Sequence, residues 1–206
     1  MSELVQRRKA MAEKMMQDAI CDAAATVLAE VGFAALTMER VAEEVGASKG
    51  TLYNYFRDKD ALVIEVIERT FLPVEAETNR VLAGQDDMAA ALLRAARIIL
   101  AGVEKRRALG QVLCGGELSP AVASVLSAKR LFLHGLFEEA FRKAEAAGVL
   151  RVSCERPQNL GRCLALTLRG MVDLHILHAE DCPSVDQEVS LLEQCMIRPW
   201  FKKTPK

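Results

Sequence analysis

Apolar residues recur every three or four positions along most of the 206-residue chain. This spacing places them on one face of an α-helix, whereas a half-buried β-strand alternates apolar and polar residues. The pattern predicts helices over residues 10–31, 37–45, 48–56, 58–70, 88–103, 119–147, 157–179 and 184–196. Because only 6 prolines occur and no β-branched runs alternate, we predict an all-α fold.

Two of the predicted helices are short and are separated by a tight turn. Thr37 is a good N-cap for the first, and Gly46 tolerates the positive φ at its end. Ser48 then caps the second helix, whose apolar positions are Leu52, Tyr55 and Phe56. Two short helices joined by a turn that contains glycine are typical of a helix-turn-helix motif, here over about residues 37–56.

The first turn of the second short helix is suited to an anionic partner. Residues 48–51 (Ser-Lys-Gly-Thr) are small or positively charged. The free N–H groups and positive dipole end of a helix N-terminus favour phosphate there. Tyr53 and Asn54 lie away from Leu52 and Phe56, where an amide can pair with a base edge and a phenol with a phosphate. The motif therefore predicts a contact with an anionic partner.

The segment Thr37–Leu62 resembles the DNA-binding core of the TetR family of transcriptional regulators. The family pattern is roughly T-x-x-I-A-x-x-x-G-x-S-x-G-T-L-Y-x-Y-F-x-x-K-x-x-L, and Val41 stands where isoleucine is usual. The matching positions are Thr37, Ala42, Gly46, Ser48, Gly50, Thr51, Leu52, Tyr53, Tyr55, Phe56, Lys59 and Leu62. From the motif and the resemblance, the expected DNA contacts are Thr37, Ala47, Ser48, Lys49, Gly50, Thr51, Tyr53, Asn54, Tyr55 and Lys59.

The resemblance implies a three-helix helix-turn-helix domain followed by a larger helical bundle that binds a ligand and dimerises. Pro73 interrupts the helix that starts after Asp58, so we expect a bend or an end near Thr70–Val74. We place the domains at residues 1–72 and 73–206. The protein would be a repressor, and a small apolar or amphipathic effector would bind in the second domain and release it from double-stranded operator DNA.

The last two predicted helices, residues 157–179 and 184–196, suggest a homodimer. The first is apolar nearly all round, so it needs more covering surface than one small domain provides. A single helix-turn-helix domain also reads too few base pairs, and a two-fold symmetric dimer binds a second half-site. The residues expected at the dimer contact are Leu164, Leu168, Met171, Leu192 and Met196.

The formal net charge of −1 is not that of a nonspecific nucleic-acid coat, so we expect a local positive stripe near the motif. Residues 2–9 are polar and basic, which fits either a frayed terminus or an arm that reaches the DNA. The most apolar stretch, residues 160–177, contains Arg162, Arg169 and Asp173, so no membrane span is expected. Six scattered cysteines and no secretory signal favour reduced thiols in the cytoplasm.

A metal or redox sensor of the same fold is the alternative. His175 and His178 are three residues apart on one predicted helix and could ligate a metal, although a solvent-facing pair is the simpler interpretation. Cys182, near a helix end, is the best candidate for a redox thiol. The sequence has no nucleophile motif and no phosphate-binding glycine loop. We therefore expect neither an enzyme, a cofactor nor a bound metal.

Overall fold

The computed structural model describes residues 3–84, 87–151, 156–178, 180 and 182–202. Regular structure in these ranges is helical, apart from one isolated antiparallel bridge between Leu150 and Phe201, so the predicted all-α fold is confirmed. The helices are α1 (Glu3–Ala35), α2 (Met38–Val45), α3 (Lys49–Tyr55), α4 (Lys59–Ala83), α5 (Met88–Glu104), α6 (Arg107–Gly115), α7 (Pro120–Ala146), α8 (Gln158–Leu177), α9 (Val185–Leu192), a π-helical turn (Glu193–Ile197) and α10 (Arg198–Trp200).

The chain divides into two units. The first comprises Met1–Thr70 and Ala108–Leu126, and the second comprises Phe71–Arg107 and Ser127–Lys206. The helices α4 and α7 therefore contribute to both units, and the segment around α6 groups with the N-terminal helices.

The core of the first unit forms where α1, α2, α3 and α4 bury apolar stripes. Gly32, with φ of 76°, breaks the helical path of α1 and leads into a turn that buries Phe33 and Leu36. Glycine adopts this φ without strain, so Gly32 kinks α1 three residues before the helix ends at Ala35. The buried apolar residues of α1 to α4 include Ile20, Leu28, Val41, Leu52, Leu62, Val63 and Ile67.

Helix α1 begins seven residues earlier than the sequence predicted. Residues 3–9, expected to be a frayed terminus or an arm, form the exposed start of this helix. Ion pairs one turn apart support it, because Arg7 contacts Glu3 at 2.7 Å and Lys9 contacts Glu13 at 3.9 Å.

Helix α4 continues through Pro73 to Ala83, so of the predicted bend or end near Thr70–Val74 the end does not occur. A proline inside a helix removes one backbone hydrogen bond. The turns that follow bury Thr78 and Leu82, and Val74 and Val81 pack against the core of the second unit. This burial offsets the loss at Pro73.

The core of the second unit lies among α5, α7, α8 and α9. Its largest fully buried side chains include Phe137, Phe141, Leu92, Leu100, Leu164 and Leu192. A Cβ on Gly161 would lie 2.5 Å from the carbonyl oxygen of Phe137, so glycine allows α8 to approach the backbone of α7 closely. The aromatic rings of Trp200 and Phe201 each lie 5.6 Å from that of Phe141 and cover the end of this core.

The later helices are capped by local side chains and a glycine. Ser119 accepts a hydrogen bond from the N–H of Val122 at 3.3 Å, and Gly148, with φ of 66°, follows the end of α7. Ser184 and Gln187 form both hydrogen bonds of a capping box at the start of α9. The helix predicted to run to Met196 instead leaves α-helical geometry after Leu192, where the π-helical turn begins.

No described helix is by itself long and apolar enough to cross a membrane, and the sharply bent pair α6 and α7 reaches that length and composition only when counted together.

Candidate nucleic-acid interface

The turn between α2 and α3 is fixed by local hydrogen bonds. The Thr37 hydroxyl accepts from the N–H of Arg40 at 3.3 Å and caps α2. Gly46, with φ of 68°, ends that helix, and the N–H of Ala47 donates to the carbonyl of Ala42 at 2.9 Å. Left-handed geometry at Gly46 turns the chain sharply enough for α3 to begin three residues later, at Lys49.

Helix α3 is held by one side and leaves the other side exposed. Ser48 accepts from the N–H of Thr51 at 3.0 Å, and the two hydroxyls are 2.8 Å apart. Leu52 is fully buried and Phe56 is buried after the helix ends, which anchors α3 on the unit. The opposite face carries Tyr53, which is 45% exposed, and Asn54.

All ten residues predicted to contact DNA have solvent-accessible surface. Thr37, Ser48, Lys49, Gly50, Tyr53 and Asn54 are exposed, whereas Ala47, Thr51, Tyr55 and Lys59 are partly exposed. An ideal Cβ on Gly50 would meet only the Ser48 hydroxyl oxygen, at 3.8 Å, so the backbone of the first turn is open to an approaching group. Whether these residues touch DNA stays a prediction.

Lys49 already has partners within the unit. Its ammonium forms a salt bridge with Glu39 of α2 and lies 5.7 Å from the centroid of the Tyr53 ring. The hydrogen bond from Lys49 holds the pKa of the Glu39 carboxyl below its ordinary value, and the same bond raises the pKa of Lys49. Both groups are therefore charged near neutral pH.

Sequence reasoning missed Glu39 as part of this interface. It lies ten residues from Lys49 on a different helix, so helical spacing does not connect them. The only signal in the sequence is that Glu39 stands one residue after the buried Met38, on the polar side of α2.

Lys59 contacts the end of α1. Its ammonium donates to the carbonyl of Phe33 at 3.0 Å and lies 4.3 Å from the centroid of the Phe33 ring. The Asp58 carboxylate caps α4, because it accepts a hydrogen bond from the N–H of Ala61 at 2.8 Å. Lys59 thus joins the first turn of α4 to the turn after Gly32, and its phosphate contact stays a prediction.

The histidines of the metal alternative lie in different environments. His175 is 1% exposed, and its Nε2 is 2.6 Å from an oxygen of Glu188, which is also buried. His178 is exposed and has left helical geometry. The prediction of a solvent-facing pair is therefore wrong for His175, because α9 covers that side of α8. In the described ranges, no group of three or more His, Cys, Asp or Glu side chains could hold a metal ion.

The cysteine of the redox alternative, Cys182, is partly exposed, and its thiol donates to the carbonyl of His178 at 3.3 Å. Cys21 is buried in the first unit. Burial raises the pKa of the Cys21 thiol, and a hydrogen bond with Arg69 opposes that rise. A raised pKa lowers the thiolate fraction and hence the reactivity of the group.

The five residues predicted at a dimer contact pack instead within their own chain. Leu164, Leu168 and Leu192 are buried in the core of the second unit, and Met171 and Met196 are partly buried against it. Leu164, Leu168 and Leu192 fill the core of their own chain, whereas Met171 and Met196 keep solvent-accessible surface. A dimer contact at the five positions stays a prediction. The apolar residues that α8 exposes are Leu166, Leu174 and Leu177.

The fold and the interface define a class of protein. An all-α chain presents a capped helix-turn-helix whose second helix is anchored by Leu52 and exposes a polar face. These are the features of a helix-turn-helix DNA-binding domain. Residues 20–66 match the family described as "Bacterial regulatory proteins, tetR family".

Two relatives match the same part of the chain. The HTH-type transcriptional repressor KstR of Mycolicibacterium smegmatis (strain ATCC 700084 / mc(2)155) is 35% identical over 69 residues, which is 34% of each protein. KstR of Mycobacterium tuberculosis (strain ATCC 25618 / H37Rv) is 32% identical over 69 residues, or 34% of this chain and 31% of the relative. The match thus spans about a third of the length of these relatives.

Solved structures resemble the chain over nearly its whole length. The SmeT–triclosan complex superposes with a TM-score of 0.79 at 21% identity and covers 92% of this chain and 93% of SmeT. NalD is the secondary repressor of the MexAB-OprM multidrug efflux pump in Pseudomonas aeruginosa. Its structure superposes with a TM-score of 0.77 at 21% identity, over 93% of this chain and 99% of NalD. At this identity the likeness establishes a shared fold, an N-terminal helix-turn-helix domain followed by a helical C-terminal domain.

Proposed function

We propose that this protein is a sequence-specific DNA-binding transcriptional regulator that places α3 in the major groove. The observation that carries the proposal is the exposed face of α3, where Tyr53 and Asn54 project opposite the buried Leu52. The major groove admits an α-helix, and its base edges offer the donor and acceptor pairs that an amide can read. Residues 1–72 would form the DNA-binding domain.

The first turn of α3 would bind the phosphates that flank the bases. Ser48 and Thr51 can donate from their hydroxyls, and Gly50 lets the duplex approach the backbone. Lys49 is held near this turn by Glu39 and Tyr53 and would exchange the carboxylate for a phosphate. Such contacts position the helix, whereas Asn54 would contribute base preference.

The experiment is a titration of the duplex that flanks the protein's own gene. Wild-type protein is expected to shift a labelled fragment of this DNA, and Lys49→Ala and Tyr53→Ala are expected to weaken binding at least about tenfold, the loss of one to two contacts of roughly 1–1.5 kcal/mol each. Arg142→Ala is the control, because Arg142 is an exposed cation of α7 paired with Glu139. Equal affinity for all four proteins would refute the assignment of α3.

We further propose that the regulator is a homodimer through α8 and α9. Leu166, Leu174 and Leu177 are 58%, 41% and 51% exposed. At 100° per residue they fall within an arc of about 80° on α8, opposite Leu164 and Leu168 of the core. Leu191, 52% exposed, provides a similar surface on α9. Two copies of this apolar face would form a four-helix contact.

Sedimentation of a double variant tests the dimer. Leu174→Glu with Leu177→Glu is expected to yield monomers that retain the helical circular dichroism of the wild type and lose operator affinity. Leu131→Glu is the matched control, because Leu131 of α7 is 66% exposed but lies on another helix. A double variant that stays dimeric would exclude this surface.

We also propose that the protein acts as a repressor that a small apolar or amphipathic molecule releases from its operator, through residues 73–206. Repression needs only DNA binding, because a bound protein blocks polymerase. The SmeT and NalD structures, whose fold this chain shares, belong to repressors of multidrug efflux pumps, and one contains triclosan. Such a ligand can act only through different affinities for the DNA-binding and released conformations. The protein would act by binding rather than by catalysis.

A further inference from the structure

Two side chains on the C-terminal half of α4 are buried with polar atoms left unpaired. Thr78 is 0% exposed and Glu75 is 8% exposed. Among the described residues, neither the Thr78 hydroxyl nor the Glu75 Oε1 has a hydrogen-bond partner. The two residues are three positions apart, so they lie on the same face of the helix. A buried polar atom without a partner is unfavourable and rare, so its presence requires a reason.

The other threonines inside the helices behave differently from Thr78. Thr26, Thr70 and Thr167 each donate to the carbonyl four residues earlier, at 3.1, 2.6 and 2.9 Å. This bond is the usual way to satisfy a threonine hydroxyl within a helix. Thr78 makes no such bond although it is wholly buried, so its hydrogen-bonding capacity is not used by its own helix.

Lys129 of α7 completes the cluster and balances its charge. Its ammonium donates to Oε2 of Glu75 at 3.2 Å. Counting side-chain atoms alone, Lys129 is 15% exposed and Glu75 is 11% exposed. A cationic ligand beside this neutral ion pair would add an uncompensated buried charge, and an anionic ligand would face the free oxygen of Glu75. A neutral hydrogen-bond donor satisfies that oxygen without a charge penalty.

The surroundings of the cluster are apolar. Val74 and Val81 of the same helix pack against the core of the second unit. A Cβ on Gly102 of α5 would lie 2.9 Å from the Val74 side chain, so α5 approaches α4 closely beside Glu75. Polar groups placed within an apolar lining fix the orientation of a bound small molecule.

We propose that Glu75, Thr78 and Lys129 form the polar end of the effector site, and that the effector is a neutral molecule with an apolar body and one hydroxyl or N–H group. The donor of the ligand binds the Glu75 Oε1, and the Thr78 hydroxyl bonds the same polar group. This inference rests on the proposed ligand-responsive function and specifies the chemistry of its ligand.

The test compares matched probes that differ only by a hydroxyl group. Dissociation constants of 1-naphthol and naphthalene, and of 1-decanol and decane, are measured on full-length wild-type protein, Thr78→Val and the double variant Glu75→Met with Lys129→Met. Both partners of the ion pair are replaced together because a single replacement would leave a buried charge unpaired. Thr70→Val is the control, since Thr70 lies on the same helix and bonds its own backbone.

At least one hydroxylated probe is expected to bind wild-type protein and Thr70→Val about tenfold more tightly than its hydrocarbon partner. That preference is expected to fall to about twofold or less in Thr78→Val and in the double variant, because the ligand hydroxyl loses its partners. No preference in the wild type for either pair, or a preference that survives both variants, would overturn the inference.

A second measurement needs no ligand. Thr78→Val removes a buried unpaired hydroxyl and is expected to raise the Tm by about 2–4 °C, whereas Thr70→Val loses a hydrogen bond and is expected to lower it. An equal fall in Tm for Thr78→Val and Thr70→Val would show that the Thr78 hydroxyl already forms a hydrogen bond, and would overturn the inference. Failure of the proposed function is distinguishable from failure of this inference. In that case wild-type protein would not bind operator DNA, while the dissociation constants of the probes stayed as expected.

Discussion

At the scale of single residues, the side chains proposed to bind DNA are already held by neighbours in the protein. Lys49 forms its salt bridge with Glu39, and the Ser48 hydroxyl bonds Thr51. These contacts restrict the side chains before DNA arrives, which lowers the entropy lost on binding. The Glu39 carboxylate, however, competes with phosphate for Lys49 and repels the duplex. Glu39 therefore orients Lys49 for the proposed phosphate contact and also opposes that contact.

Replacing Glu39 by Gln should strengthen operator binding. We expect an affinity about three- to tenfold higher and a steeper dependence on salt, by about one further counterion released, because Lys49 becomes fully available to phosphate. Fluorescence anisotropy over a series of salt concentrations measures both quantities. Glu145→Gln, which makes the same charge change at an exposed position of α7, is the control. An equal gain from both variants would show a general charge effect and contradict the specific role of Glu39.

At the scale of elements, α8 and α9 are joined by a buried polar contact rather than by apolar packing alone. His175 and Glu188 are each nearly inaccessible and lie 2.6 Å apart. Hydrogen bonds depend on direction, so this pair fixes how α9 lies on α8 more narrowly than leucine contacts would. The proposed dimer face uses the outer surfaces of the same two helices, so its shape depends on this contact.

Glu188→Ala should destabilise the protein by about 1–3 kcal/mol, because the ring of His175 loses its partner while it stays buried. Glu188→Gln should retain most of the stability, since the amide can still bond the ring. Urea denaturation at one fixed protein concentration gives the free energies of unfolding. Glu193→Ala, which removes an exposed ion pair with Arg198, should cost about 0–1 kcal/mol. A similar cost for Glu188→Ala and Glu193→Ala would contradict this account.

Helix ends were predictable where a few adjacent residues determine them. The caps at Thr37, Ser48 and Ser184 and the glycine at position 46 act through bonds that span three or four residues, so the sequence alone indicates them. The continuation of α4 through Pro73 was not predictable, because it depends on burial of the following turns against other helices.

The parts of the site that depend on contacts between helices were also missed. Periodicity showed that α8 is apolar on several sides, but it could not tell the core-facing Leu164 from the exposed Leu166. The pairs of Lys49 with Glu39 and of His175 with Glu188 join residues ten and thirteen positions apart on different helices. No local pattern predicts such a pair, whereas the exposed face of α3 followed directly from the spacing of Leu52 and Phe56.

At the scale of the whole molecule, the account requires two copies of α3 on one duplex. The chain carries a formal net charge of −1, so long-range attraction to DNA is weak and recognition must come from local contacts. One helix reads only a few base pairs, and a two-fold dimer doubles the site. The apolar face of α8 and the polar face of α3 are therefore parts of one proposed function.

Selection of bound sequences from a pool of random duplexes tests this claim most directly, with wild-type protein compared with the double variant Tyr53→Ala, Asn54→Ala. The account predicts that the wild type enriches inverted repeats whose half-sites lie about one helical turn, or a multiple of it, apart. The double variant should lose the base preference in both halves. Enrichment of no sequence by the wild type, or of the same sequences by both proteins, would contradict the account.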